Sequence, residues 1–135
     1  MEPSGLSNTS GDRPGERLMR ATFLEGNAVY NRSNEHLGEI TEVILDMPHG
    51  RIAYAVMSSG GVLGAGEKMF ALPWGALTLD TERECFILDA DKARMDQAPG
   101  FDEEHWPELA DDVPGTGGWE RDVHSYYRTR PYWEV

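Results

Sequence analysis

Between residues 51 and 59 the chain alternates with a period of two: Ile52, Tyr54 and Val56 fall on one face of an extended strand, Ala53, Ala55 and Met57 on the other. Small alanines on one face admit close approach of a second layer, as the interior of a tight barrel requires. The run MFALPW repeats the alternation over residues 69–74, with Phe70, Leu72 and Trp74 on one face and Pro73 marking a sheet edge or bulge. Between the two runs lies GGVLGAGEK, whose Gly60, Gly61, Gly64 and Gly66 permit positive φ angles and predict a hairpin. It lacks the GK[ST] ending of a phosphate-binding loop, and no helical pattern follows it. Ala76, Leu77 and Leu79 continue the apolar content, and residues 84–89 read as a last strand. With no helix between these elements, the pattern predicts a small antiparallel barrel.

Upstream, residues 28–30 are a short strand candidate ended by the turn formers Asn31, Ser33 and Asn34, with Leu37-Gly38 closing that turn. The segment EITEVILD at residues 39–46 has some helical propensity, but its Ile, Thr and Val are β-branched and turns flank it, so strand is favoured. Pro48-His49-Gly50 makes the next reversal. Residues 1–20 hold too few large apolar groups to offset the entropy of ordering them and predict a flexible leader. Asp91 caps a short helix through about Ala98, where Pro99-Gly100 stops it. The expected organisation is a leader (1–20), a barrel domain (21–90), and a short helix with an extended C-terminal segment packing on the barrel (91–135).

That C-terminal segment is unusual. Residues 101–135 carry nine acidic side chains against three arginines, yet they include Phe101, Trp106, Trp119, Tyr126, Tyr127, Tyr132 and Trp133. Leaving such aromatic surface in water costs roughly 25 cal/mol per Å² of apolar area, so the segment should pack, with Trp106 and Tyr127 as anchors. Pro107, Pro114 and Pro131 predict an extended path with turns instead of one long helix.

The whole chain has 135 residues, 39% of them hydrophobic, which suits one modest core with appendages. Twelve basic residues against 24 acidic ones give a net charge of −12, which opposes direct binding to nucleic acid or to anionic lipid. The acidity fits solubility, a saline habitat or a basic partner. Cys85 is the sole cysteine, so an intramolecular disulfide is excluded and a reducing compartment fits; its apolar run, ECFIL, suggests a small buried residue rather than a reactive thiol. No stretch approaches the roughly 20 apolar residues of a membrane span, and the start lacks the apolar core of a signal peptide. A soluble, cytoplasmic protein without membrane insertion is expected.

Several side chains invite chemistry and are better explained without it. His36, His49, His105 and His124 form no close ligand pair. His105 beside Asp102, Glu103 and Glu104, with Asp111 or Asp112, could weakly hold a divalent ion, but neighbouring carboxylates are more often a solvated face. His124-Ser125 with Asp122 superficially suggests a hydrolase, yet this spacing does not assemble a triad and no nucleophile elbow is present. Arg121, Arg128 and Arg130 interleave with tyrosines as base-stacking proteins do, but the surrounding acids favour packing of guanidinium over aromatic faces. No catalytic, cofactor-binding or metal-binding residue is assigned. The candidate interaction or packing residues are Phe70, Leu72, Trp74, Trp106, Trp119, Tyr126, Tyr127, Tyr132 and Trp133.

With GEITEVILD, GRIAYAVMSSGG, KMFALPWGAL, APGFDEEHWPE and VHSYYRTRPYW together, the chain resembles a stand-alone bacterial PRC-barrel protein over roughly residues 23–133. The family takes its name from the cytoplasmic domain of the photosynthetic reaction-centre H subunit, and a related barrel occurs in a ribosome-maturation factor. Residues 34–38 resemble its G-E-x-L-G turn, with Asn34 in place of the first glycine; Leu72-Pro73-Trp74 resembles its V-P-W element; Ala98-Pro99-Gly100-Phe101 with Trp106-Pro107 resembles the linker of the short class. The resemblance implies a mainly β fold, a six-stranded, partly open barrel, that acts as a non-enzymatic adaptor. Its partner would be another protein or a second copy, a homodimer being the simplest case, with the open barrel edge near Phe70 and Leu72 and the aromatic tail as contact surfaces. The alternatives are a ribosome-assembly accessory contacting a basic ribosomal protein, and a small-ligand or metal-responsive sensor, which would need a concave apolar site with converging polar groups.

Overall fold

The computed structural model describes residues 18–59, 68–80, 82–102, 104, 106–107 and 118–134. The expected leader up to residue 17, the glycine-rich hairpin at 60–67, and His105 with Asp111 and Asp112 lie outside the described residues.

Six strands form one sheet: β1 (Ala28–Tyr30), β2 (His36–Asp46), β3 (Arg51–Ser58), β4 (Met69–Pro73), β5 (Leu77–Asp80) and β6 (Cys85–Leu88). Their order is β4-β3-β2-β1-β6-β5, so β4 and β5 are opposite edges of the sheet. Only the three-residue 3₁₀ turn Trp74–Ala76 joins those edges. A flat six-stranded sheet would hold them some 24 Å apart at about 4.8 Å per strand, beyond the reach of so short a link, so the sheet must curl into a half-barrel. Register shifts within β2, between Ile40 and Glu42 and between Ile44 and Leu45, supply part of that bend. The expected antiparallel barrel is therefore correct but for one pair, since β1 and β6 run parallel.

The turn before β2 is tighter than expected. Asn31 is buried, and its Oδ1 accepts the backbone N–H groups of Ser33 (3.0 Å) and Glu35 (2.9 Å) while its Nδ2 donates to the Ala90 carbonyl (3.2 Å). The turn is complete by Glu35, and Leu37 and Gly38, expected to close it, already belong to β2. Gly38 lies against the Ser58 carbonyl and the Met57 side chain so closely that a Cβ there would overlap both.

The inner face of the curl holds Val29, Ile40, Ala55, Met57, Phe70, Leu72, Phe86 and Leu88, with Met95 of the short helix α1 (Lys92–Asp96) and Ala98 beyond it packed against them. Asp91 caps α1 as expected, its Oδ1 accepting the Arg94 N–H at 2.7 Å. The outer face of β3 and β4 is also covered. Tyr54 lies opposite Pro73 and Val56 opposite Ala71, all four buried, and Tyr54 and Ala71 pack with Val123 of helix α2 (Trp119–Tyr127).

Helix α2 corrects the expected extended path. Pro114 and Pro131 bracket residues 119–127 but place no proline inside them, which leaves room for a nine-residue helix. Glu120, Val123, His124 and Tyr127 recur at helical spacing and form the face turned to the sheet, three of them fully buried. Arg128 ends the helix in a left-handed conformation, with φ 58°.

Candidate interaction groove

The open end of the half-barrel forms a groove of about 960 Å³. Leu24, Ala53 and Phe86 are its buried apolar lining, Val43, Ile52 and Trp74 are partly buried, and Leu18, Leu45 and Leu79 are exposed at its mouth. The last three are 74%, 55% and 37% exposed. Leu45 directly follows the β2 register shift, and Leu79 belongs to edge strand β5. Sequence reading missed this set because Leu18, Leu45 and Leu79 look like ordinary core leucines until the strand pairings are known. The polar lining is Glu25, Glu42, Arg51, Arg130 and the edges of His124 and Tyr132.

One wall of the groove belongs to the C-terminal segment, which a buried polar network holds in place. The Tyr54 hydroxyl donates to Glu120 Oε1 (2.8 Å) and lies 3.1 Å from His124 Nε2, while His124 Nδ1 lies 2.9 Å from Thr129 Oγ1. A consistent proton arrangement follows: Nε2–H donates to the tyrosine oxygen, and the threonine hydroxyl donates to Nδ1. Burial, with Glu120 next, pushes the Tyr54 phenol far above its ordinary range. Burial pushes the His124 imidazole down from 6.5, against the opposing pull of Glu120 and Glu134. The Tyr132 phenol is pushed up to about 12, by burial first and then Glu120. An un-ionised phenol and a neutral imidazole, sealed by Trp119 (5.2 Å from the Tyr54 ring) and Trp133 (5.3 Å from His124), lock the segment to the sheet.

Outside the network, Asp46 accepts from Arg51 (2.8 Å) and lies 3.1 Å from His49 Nδ1; the Arg51 hydrogen bond chiefly lowers its carboxyl. Cys85 is buried, and burial raises its thiol although Arg83, two residues away, works the other way.

The residues singled out from sequence fall in different places. Trp74 and Tyr132 line the groove. Phe70 and Leu72 point into the core, so they offer no contact surface, although β4 is an edge strand as expected. The outward backbone groups of Met69 already pair with Phe101 (2.8 and 2.9 Å), and Pro73 has no N–H. Trp119 packs on Tyr54, and Tyr127 sits against the Met95 sulfur (3.9 Å). Tyr126 and Arg94 exchange hydrogen bonds through each other's carbonyls, with the guanidinium 4.3 Å from the Tyr126 ring centre. Trp133 packs edge-on to Tyr132 at 5.1 Å. Trp106 touches the Phe101 ring (5.0 Å) but is 37% exposed, which is less than an enclosed anchor.

Among the described residues no group of three or more His, Cys, Asp or Glu is placed to hold a metal ion, and no helix is long and apolar enough to cross a membrane.

The curled six-stranded half-barrel places the protein among the small β-barrels. Residues 16–95, more than half of the chain, match the PRC-barrel domain, and the chain belongs to that family. The family is in general a non-catalytic one. No curated protein matches the chain.

Proposed function

We propose that the protein is a non-enzymatic adaptor of the cytoplasm that docks a segment of another protein in the groove at the open end of its barrel. The exposed leucines at the groove mouth carry this reading. Each fully buried leucine is worth about 1.5–3 kcal/mol, and Leu18, Leu45 and Leu79 stand together around one concavity where a partner could collect that energy. Trp74 and Tyr132 belong to this contact surface, and Trp119, Tyr126, Tyr127 and Trp133 hold the C-terminal helix on the barrel. Residues 91–102 and 118–134 thus serve as part of the docking unit. The groove has the size of a small-ligand site, and Arg51 and Tyr132 converge on it, which favours a ligand sensor as the second reading.

The test compares the wild-type chain with Leu45→Asp and Leu79→Asp, each first shown by circular dichroism to fold. Partners retained by the tagged wild type are identified by mass spectrometry, purified and titrated calorimetrically. Loss of binding by about tenfold or more in both variants supports the groove. A purified partner that binds all three proteins equally sinks it. A ribosomal protein in this role makes the chain an assembly accessory, and a second copy makes it a homodimer.

A further inference from the structure

The groove's charges, resting on the docking reading above, point to the partner's chemistry. Of its two cationic lining residues only Arg51 is neutralised within the chain, since Arg130 is bonded to an uncharged carbonyl. Arg51 is bonded to Asp46 at 2.8 Å and lies 5.7 Å from the Tyr132 ring centre, and Arg130 donates to the Glu134 carbonyl at 3.2 Å. Neither anionic lining residue is neutralised by a described residue, which leaves the lining with two uncommitted carboxylates against one guanidinium. Glu25 and Glu42 are exposed and, among the described residues, take part in no ion pair. Each directly follows or precedes an apolar lining residue, Leu24 and Val43. A segment that places aliphatic side chains on those residues therefore carries its flanking positions past two uncommitted carboxylates.

The remaining charge on the chain acts in the same sense. With a net charge of −12, a second copy brings the same sign to the interface, and so does a phosphate backbone or an acidic peptide. A small apolar ligand could fill the concavity around Leu24 and Phe86, but it would leave Leu18 and Leu45 at the mouth in water. We infer that the groove takes an amphipathic segment of a different protein, with aliphatic anchors and lysine or arginine beside them.

Labelled synthetic peptides of roughly 16 residues, titrated against the full chain by fluorescence anisotropy, test this. All but one carry leucine at every third and fourth position, with lysine, glutamate or glutamine between; the last keeps the lysines and replaces leucine by glutamine. The leucine–lysine peptide should bind about tenfold or more tightly than the leucine–glutamate peptide, and the lysine peptide without leucine should not bind. Glu25→Gln with Glu42→Gln should shrink that preference to about threefold or less, while Glu82→Gln with Asp96→Asn, away from the groove, should leave it intact. Leu45→Asp should abolish binding of the leucine–lysine peptide. If lysine and glutamate peptides bind alike, or the remote pair erodes the preference equally, the charge selection is wrong and the docking reading survives. If no leucine peptide binds, both fail together.

Discussion

Tyr54 on β3 and Glu120 on α2, 66 residues apart in the chain, share a 2.8 Å hydrogen bond where neither side chain is more than 2% exposed. A buried hydroxyl–carboxylate contact fixes the position of the helix on the sheet more sharply than apolar contact alone, because each group is expensive to leave without its partner.

Tyr54→Phe keeps the ring and deletes the hydroxyl, so Glu120 and His124 each lose one hydrogen-bond partner. The substitution should cost about 1–3 kcal/mol. Urea unfolding should show a lower midpoint at unchanged slope. An unchanged midpoint would mean that the network orients the helix without stabilising it.

The pH dependence follows from His124. Its folded pKa lies below 6.5, chiefly through burial. Above that pH both folded and unfolded chains hold it neutral. As pH falls below 6.5 the unfolded chain takes up the proton first, so stability declines until the pH reaches the lower folded value. Urea midpoints should therefore fall from about pH 7 to about pH 5, and His124→Gln should flatten that part of the profile. Asp46 has the opposite character: its lowered carboxyl contributes stability above about 3.8 that is lost as pH falls through its folded value. A profile for His124→Gln that still falls near pH 6 would assign the effect elsewhere.

The two aromatic anchors expected for the C-terminal segment should now behave differently. Tyr127, at the end of α2, packs on the core beside Met95, whereas Trp106 is 37% exposed. Tyr127→Ala should cost about 2–4 kcal/mol and Trp106→Ala about 1 kcal/mol or less. Truncation after Gly100 should lower the melting temperature and bind an apolar dye, because it uncovers Tyr54 and Ala71. Equal effects of the two substitutions, or an unchanged melt on truncation, would contradict the packing described.

Gly38→Ala should destabilise by about 1–3 kcal/mol, because the new methyl meets the Ser58 carbonyl across the strand pair. Gly75→Ala, with open space around its Cβ position, should change stability by about 0.5 kcal/mol or less. Thermal melts of the two variants beside wild type check both. The contrast gives a packing reason for the last glycine of the motif at residues 34–38.

Local pattern was enough for the elements whose burial is regular. The period of two located β3 and β4, and Pro48-His49-Gly50 located a reversal in which Gly50 adopts φ 64°. It failed where partners are distant. The start of β2 at His36 depends on Asn31 reaching Ala90, 59 residues away, and the prolines that rule out one long helix leave the nine residues of α2 between them.

The sequence by itself determined a small, curled β-sheet protein with an aromatic, acidic C-terminal segment that had to pack, since side-chain alternation, turn residues and the cost of wet aromatic surface are local properties. Only the tertiary structure decided which residues remain available to a partner. Strand order and the docking of α2 bring Leu18, Leu24, Val43, Ile52, Trp74, Phe86 and Tyr132 around one groove, while the same curl hides Phe70 and Leu72. Exposure of a leucine is a property of what covers it, and in this chain the covering residues come from segments up to a hundred positions away.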